Sequence, residues 1–240
     1  MQHALPPDLP ARLATAVQTA WAPRAARSAA PLDLDGLLGV LGAVATHCGL
    51  PASAVRLRGR APRTVPGHFA TGCAWDAVVV EAGRLRAVVG VSAHSLRTSG
   101  GAAALNAHAL QVVGAAVDLA AAAASGALGP EAVTRRPFVG WLMVLEDTPE
   151  AHAPLPAPAL EGFGPSAPSV STSASPDTGA ERARRLCERL TRAGHCHQAS
   201  LLLTAPSSGA AQGAWRALSE LSHPAVLLRL LADHLTSPPT

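Results

Sequence analysis

Apolar positions recur along this chain at two periods, and the switches between them mark the elements. Leu13, Val17, Ala20 and Trp21 share one stripe at helical spacing, which predicts an amphipathic helix over Pro10–Ala26. A second helix is predicted over Leu34–Cys48: Asp33 or Asp35 can cap it, Leu37, Leu38, Leu41 and Val44 form its face, and Gly49 and Pro51 end it. After a basic connector, Arg56 to Arg63, the period shortens. Ala74–Glu81 and Arg84–Ala93 read as two strands joined at Ala82-Gly83, a hairpin signal. A loop with Ser99-Gly100-Gly101 leads to a long Ala-rich helix over Ala103–Ala124 that stops at Gly126. Phe138–Asp147 is an almost unbroken apolar run, as expected of a central strand covered on both faces.

The remainder divides the chain. From Thr148 to Thr178 Pro, Ser and Ala dominate, which predicts a long, partly disordered surface loop. A basic helix follows over Gly179–Ala193, then a short strand at Ala199–Thr204 and a final helix near Pro224–Leu235. We therefore expect residues 1–147 to hold the N-terminal helices and the core, 148–178 the loop, and 179–240 a helix-strand-helix segment packed on that core.

Composition changes this picture in three ways. All nineteen basic side chains are arginine, so there is no lysine for a Schiff base, a P-loop or a general base. Four scattered cysteines without a CxxC read as reduced, buried thiols, and His195-Cys196-His197 near Cys187 fits no usual zinc module. Net charge +3 permits a polyanionic partner without demanding one. With no N-terminal leader pattern and no uninterrupted apolar run of spanning length, a cytoplasmic location and no membrane contact are expected.

Five segments carry the chemistry: L-D-L-D-G-L-L (Leu32–Leu38), V-P-G-H-F-A-T-G-C-A-W-D-A-V-V-V (Val65–Val80), V-G-A-A-V-D-L (Val113–Leu119), R-R-P-F-V-G-W-L-M-V-L-E-D-T-P-E (Arg135–Glu150) and E-R-A-R-R-L-C-E-R-L (Glu181–Leu190). In order and spacing they resemble XhoI-type restriction endonucleases of the PD-(D/E)xK superfamily over most of residues 11–236. The resemblance implies an α/β fold, a restriction-endonuclease-like core with a mixed central sheet flanked by helices. It also implies a homodimer acting on duplex DNA with Mg2+. In that family the Trp-Asp of the first hairpin strand supplies one metal-binding carboxylate. The return strand supplies Glu-x-Lys: the Glu completes the metal site and the Lys orients or deprotonates the attacking water. Two carboxylates hold a hard cation through oxygen, and cation and ammonium together stabilise the phosphorane.

Carried over residue by residue, the resemblance assigns the first carboxylate to Asp76, beside Trp75. It then puts Gly90 at the position of the Glu and Ser92 at that of the Lys, both on one strand face. Glu81 lies on the opposite face at the turn, and the family's acidic residues early in the long helix fall at Leu110 and Gln111. His94 shares the face of Ser92 and is the one side chain there able to assist hydrolysis. Upstream, Arg27–Pro31 replaces a longer Gly/Thr-rich stretch. Arg56, Arg58, Arg60 and Arg63 are a candidate phosphate-contacting row beside the plainer reading of a solvated connector. Arg182, Arg184, Arg185, Arg189 and Arg192 read as the wet face of a helix paired with Glu181 and Glu188, and Trp75 and Trp141 as core anchors.

These departures point to a catalytically degenerate relative that binds DNA or a protein partner. The alternatives are an active endonuclease with a rearranged Mg2+ site, and a scaffold without nucleic acid. No cofactor is expected unless the site still works, in which case it takes Mg2+. The apolar final helix (Val226, Leu227, Leu230, Leu231) is expected to leave surface for a homodimer.

Overall fold

A computed structural model describes residues 5–26, 32–59, 63–97, 100–154, 178–204 and 214–237. Arg60 and most of the Pro/Ser-rich stretch, residues 155–177, lie outside the described residues. In chain order the elements are α1 (Leu9–Ala26), α2 (Asp35–His47), β1 (Val55–Leu57), β2 (Thr64–Val65), β3 (Cys73–Ala74), β4 (Ala77–Glu81), β5 (Arg84–His94), α3 (Gly101–Ala124), α4 (Pro130–Thr134), β6 (Phe138–Glu146), α5 (Pro149–His152), α6 (Gly179–Arg192), β7 (Gln198–Thr204), β8 (Trp215–Arg216) and α7 (Pro224–Thr236).

Six strands form one mixed sheet in the order β1-β4-β5-β6-β7-β8, with β5, β6 and β7 parallel and the outer pairings antiparallel. The mixed central sheet flanked by helices that the resemblance implies is the arrangement observed. The hairpin closes where Ala82 and Gly83 both adopt positive φ (49° and 80°), the pair of left-handed residues that a two-residue turn needs to match strand twist. β6, every residue of which is buried, sits inside the sheet as its apolar run requires.

Strand alternation sends side chains to two separate cores. On one face Val79, Val89, Phe138 and Leu142 pack with Trp21, Leu37 and Leu41 of α1 and α2 and Leu227 and Leu231 of α7. On the other, Trp75, Val88, Trp141 and Met143 pack with Val112 and Leu119 of α3 and Cys187 of α6. Helix ends are secured locally: Asp33 accepts from the Asp35 N–H at 3.0 Å, and Thr178 from the Glu181 N–H at 3.2 Å, half of a capping box.

Three features differ from the sequence reading. The connector after α2 contains a strand, β1, because Val55 and Leu57 pack against the α1–α2 side while Arg56 points out. β7 and β8 extend the central sheet itself. Of the α7 residues expected to leave surface, Leu227 and Leu231 are buried against the sheet, Val226 is half-buried and Leu230 is 39% exposed, so that helix leaves less surface than its pattern suggests. α3 is long and apolar enough to cross a membrane by length and composition, but its Leu105, Val112, Ala116 and Leu119 face is buried in the second core.

Candidate functional site

The hairpin brings Asp76, Gly90 and Ser92 together. Ala77 pairs with Val89, so Asp76 stands one step beyond, beside the Gly90–Val91 peptide, and its Oδ2 accepts from the Val91 N–H at 2.8 Å. Its Oδ1 accepts from Arg58 at 3.2 Å, with the Arg63 guanidinium 3.9 Å away. Arg63 also donates to the Trp75 carbonyl. Two of the four arginines named as a phosphate-contacting row thus turn toward the carboxylate while staying partly exposed. Arg56 faces solvent.

Gly90 and Ser92 explain one another through Trp141. The parallel register of β5 and β6 sets Gly90 directly beside Trp141. A Cβ built on Gly90 would meet three indole atoms at 2.5, 2.6 and 2.8 Å, closer than carbon atoms pack. The indole thus fills the space a side chain at position 90 would take. Its N–H then needs an acceptor, and the buried Ser92 Oγ provides one at 3.1 Å. Gly90, Ser92 and Trp141 form one closed, hydrogen-bonded packing unit.

A hard cation of the Mg2+ class demands several fixed oxygens in near-octahedral geometry. Asp76 offers one carboxylate, both of whose oxygens are engaged by donors of this chain, and the neighbouring position is filled by an aromatic ring. These residues do not fit Mg2+. Glu81 is no replacement, since it is at the turn and paired with Arg86.

His94, at the end of β5, meets a residue the sequence reading passed over. Its ring centroid is 4.8 Å from that of His108 on α3, which in turn packs at 5.0 Å against Trp141. Burial first, and the neighbouring His108 second, hold the His94 imidazole down to about 4. His108 is lowered by burial too, against the opposing pull of a hydrogen bond to Gln111 and of the Asp76 charge. The pair comes from residues fourteen apart across a loop and a helix start, so spacing alone gives no signal of it. The Gly90–Trp141 adjacency is equally silent, because it depends on the register of two strands joined through α3.

The other candidates resolve into packing. Cys187 and Cys196 are buried, and burial pushes both thiols up to about 12. His197 Nδ1 accepts from the Val139 N–H at 3.0 Å while its ring stacks on Phe138. On α6, Arg184 and Arg185 pair with Glu181, and Arg184 and Arg192 with Glu188. One further feature stands beside the site. The β2–β3 hairpin carries a loop whose His68 and Phe69 N–H groups donate to the buried Asp118 at 2.8 and 2.6 Å. That fixed loop holds Phe69 out in solvent, 76% exposed.

Comparison with known proteins agrees with the motifs. The family described as Restriction endonuclease XhoI matches residues 16–216. The Type II restriction enzyme XhoI of Xanthomonas vasicola is 33% identical over 115 residues, 48% of this chain and 44% of that protein. The Type II restriction enzyme AbrI of Azospirillum brasilense is 32% identical over 120 residues, 50% of this chain and 51% of that protein. The chain therefore spans about half the length of the curated relatives it matches. No solved structure matches.

Proposed function

The chain belongs to the XhoI restriction endonuclease family, and from that premise we propose that it is a catalytically degenerate member, a pseudo-nuclease that binds duplex DNA without cutting it. One observation carries the loss of cleavage: Trp141 occupies the place of a side chain at Gly90 and uses Ser92 as its hydrogen-bond acceptor. Where the family mechanism needs a second carboxylate and an ammonium, this chain has an indole and a hydroxyl. Arg58 and Arg63 supply to Asp76 the positive charge that a metal ion would bring. General acid–base help from His94 has no partner on the reaction path, since its imidazole faces His108 in the second core.

The binding half of the proposal is supported by Arg56 in solvent, the partly exposed Arg58 and Arg63, and the rigidly presented Phe69, all on the segment flanking the site. If those three arginines each neutralise one phosphate, log K should fall with log[salt] at a slope of roughly −2 to −3. The test is an anisotropy titration of duplex DNA between about 50 and 200 mM salt, with and without Mg2+. We expect that slope and no dependence on Mg2+. Binding or cleavage that appears only with Mg2+ would instead indicate a rearranged working site, and a salt-independent absence of binding would leave a role without nucleic acid.

A second reading, protein association, is favoured by α3. Its outer face carries Ala107, Leu110, Gly114, Val117, Ala121 and Ala124 at alternating three- and four-residue steps. Most of these are exposed, and the helix's one Asp, Glu, Lys or Arg side chain, Asp118, is turned inward. That spacing is the seam of paired helices, and small residues let two such helices approach closely. A second copy of the chain is the partner this face fits.

A further inference from the structure

Among the described residues, the buried side-chain nitrogens and oxygens left without a hydrogen-bond partner are Trp75 Nε1, His94 Nε2 and His108 Nε2. They belong to one contiguous cluster: Trp75 lies 6.3 Å from Trp141, His108 5.0 Å from Trp141, and His94 4.8 Å from His108, between ring centroids. Buried polar atoms nearly always have partners. Three exceptions in one place, and none elsewhere among the described residues, mark a position that something else completes.

The chemistry of the pair says what kind of group that is: two neighbouring imidazoles each leave a buried Nε2 without a partner, and imidazole nitrogen is a common ligand of metal ions. Two nitrogens on one tetrahedral ion stand about 3.3 Å apart at ordinary bond lengths, which rings with centroids 4.8 Å apart can reach. Imidazole selects borderline ions over Mg2+.

We infer that the His94–His108 pair binds a divalent transition metal ion of the zinc, nickel or copper class through its two Nε2 atoms. The lone N–H donor of the cluster, on Trp75, suits a water that completes the coordination. Among the described residues no group of three His, Cys, Asp or Glu side chains surrounds one ion, so the site is a two-imidazole one of modest affinity. Its effect is structural: it ties the end of β5 to α3. The inference stands whether or not the chain cuts DNA.

The experiment uses the full chain stripped with chelator. Cu2+ is added and followed by electron paramagnetic resonance, and Zn2+ affinity is measured by calorimetry. One ion per chain with hyperfine structure from two nitrogens is expected. His94→Gln and His108→Gln should each weaken Zn2+ binding by roughly tenfold or more, while His152→Gln, at an exposed histidine paired with Asp147, changes nothing. Should either variant fold poorly, nitrogen-15 spectra of the unaltered chain decide the matter: Zn2+ must shift the Nε2 signals of His94 and His108. No saturable binding, binding indifferent to both variants, or shifts at other histidines would overturn the inference and leave a shared buried water as the partner of these nitrogens.

Discussion

Gly90→Ala is the smallest perturbation that reaches the centre of this account. In an ordinary strand or helix the change from Gly to Ala stabilises, by roughly 0.5–1 kcal/mol, because the unfolded chain loses freedom. At position 90 the sign should reverse. The added methyl would sit 2.5–2.8 Å from three atoms of the Trp141 ring, and the indole cannot retreat without giving up its 3.1 Å hydrogen bond to Ser92. Overpacking of that kind costs about 1–3 kcal/mol. For a domain of this size each kcal/mol moves the midpoint by roughly 2–4 °C, so calorimetry should record a drop of roughly 2–12 °C. Gly39→Ala on α2, where nothing lies within 4 Å of the added atom, is the control and should raise the midpoint. Trp141→Phe removes part of the opposing ring. Combined with Gly90→Ala it should be less destabilising than the two changes summed, with a coupling of about 0.5–3 kcal/mol. A Gly90→Ala protein as stable as the parent, with no coupling to Trp141, would refute the claim that the indole has taken the vacated place.

Other outcomes follow from the same contacts. Asp76→Asn keeps the acceptor for the Val91 N–H but leaves Arg58 and Arg63 without their counter-charge; discounted for partial exposure, a loss of about 1 kcal/mol is expected in urea titrations. Leu110→Arg puts a charge in the middle of the outer α3 seam, where Leu110 is 75% exposed; light scattering should show a dimer becoming a monomer with the melting midpoint little changed. His94 and His234 are both held down to about 4 by burial, so their neutral forms favour the fold. That contribution is complete above the ordinary 6.5 and is lost progressively as pH falls from 6.5 toward 4. In chelator, His94→Gln should flatten this acid limb of stability against pH, and an unchanged limb would contradict the assignment.

What the sequence reveals here divides along the range of the interactions. Local period, caps and turns identify the hairpin through Ala82-Gly83, the buried run of β6 and the long helices α1, α2, α3, α6 and α7, because each depends on neighbours a few residues away. The five collinear segments identify the family, and with it the positions Asp76, Gly90 and Ser92. Gly90 and Ser92 are legible as departures from the letters that the family resemblance puts there. Why they tolerate being different is not legible, because Trp141 arrives from a strand some fifty residues later, and its register beside Gly90 is fixed by the crossover through α3. β1 is hidden for another reason: a three-residue edge strand with Arg56 at its centre has too few positions to show alternation. The His94–His108 pair is hidden because His94 reads as a lone side chain on the strand face and His108 as one more position of an Ala-rich helix. The orphaned nitrogens become visible only when the strand end and the helix are placed together.

Unmethylated supercoiled plasmid decides whether this chain has lost cleavage. The site that the resemblance implies presents two carboxylates and an ammonium; at the matching positions this chain presents Asp76, Gly90 and Ser92. Loss of one such group costs several kcal/mol of transition-state stabilisation, a slowing of roughly a thousandfold, and the missing groups act as a unit, so their effects do not simply add. With Mg2+ or Mn2+, purified protein should leave the plasmid supercoiled at every enzyme-to-DNA ratio, and Asp76→Ala should behave identically. Discrete site-specific fragments from the unaltered chain, abolished by Asp76→Ala, would contradict the account and establish Asp76 as part of a working nuclease centre.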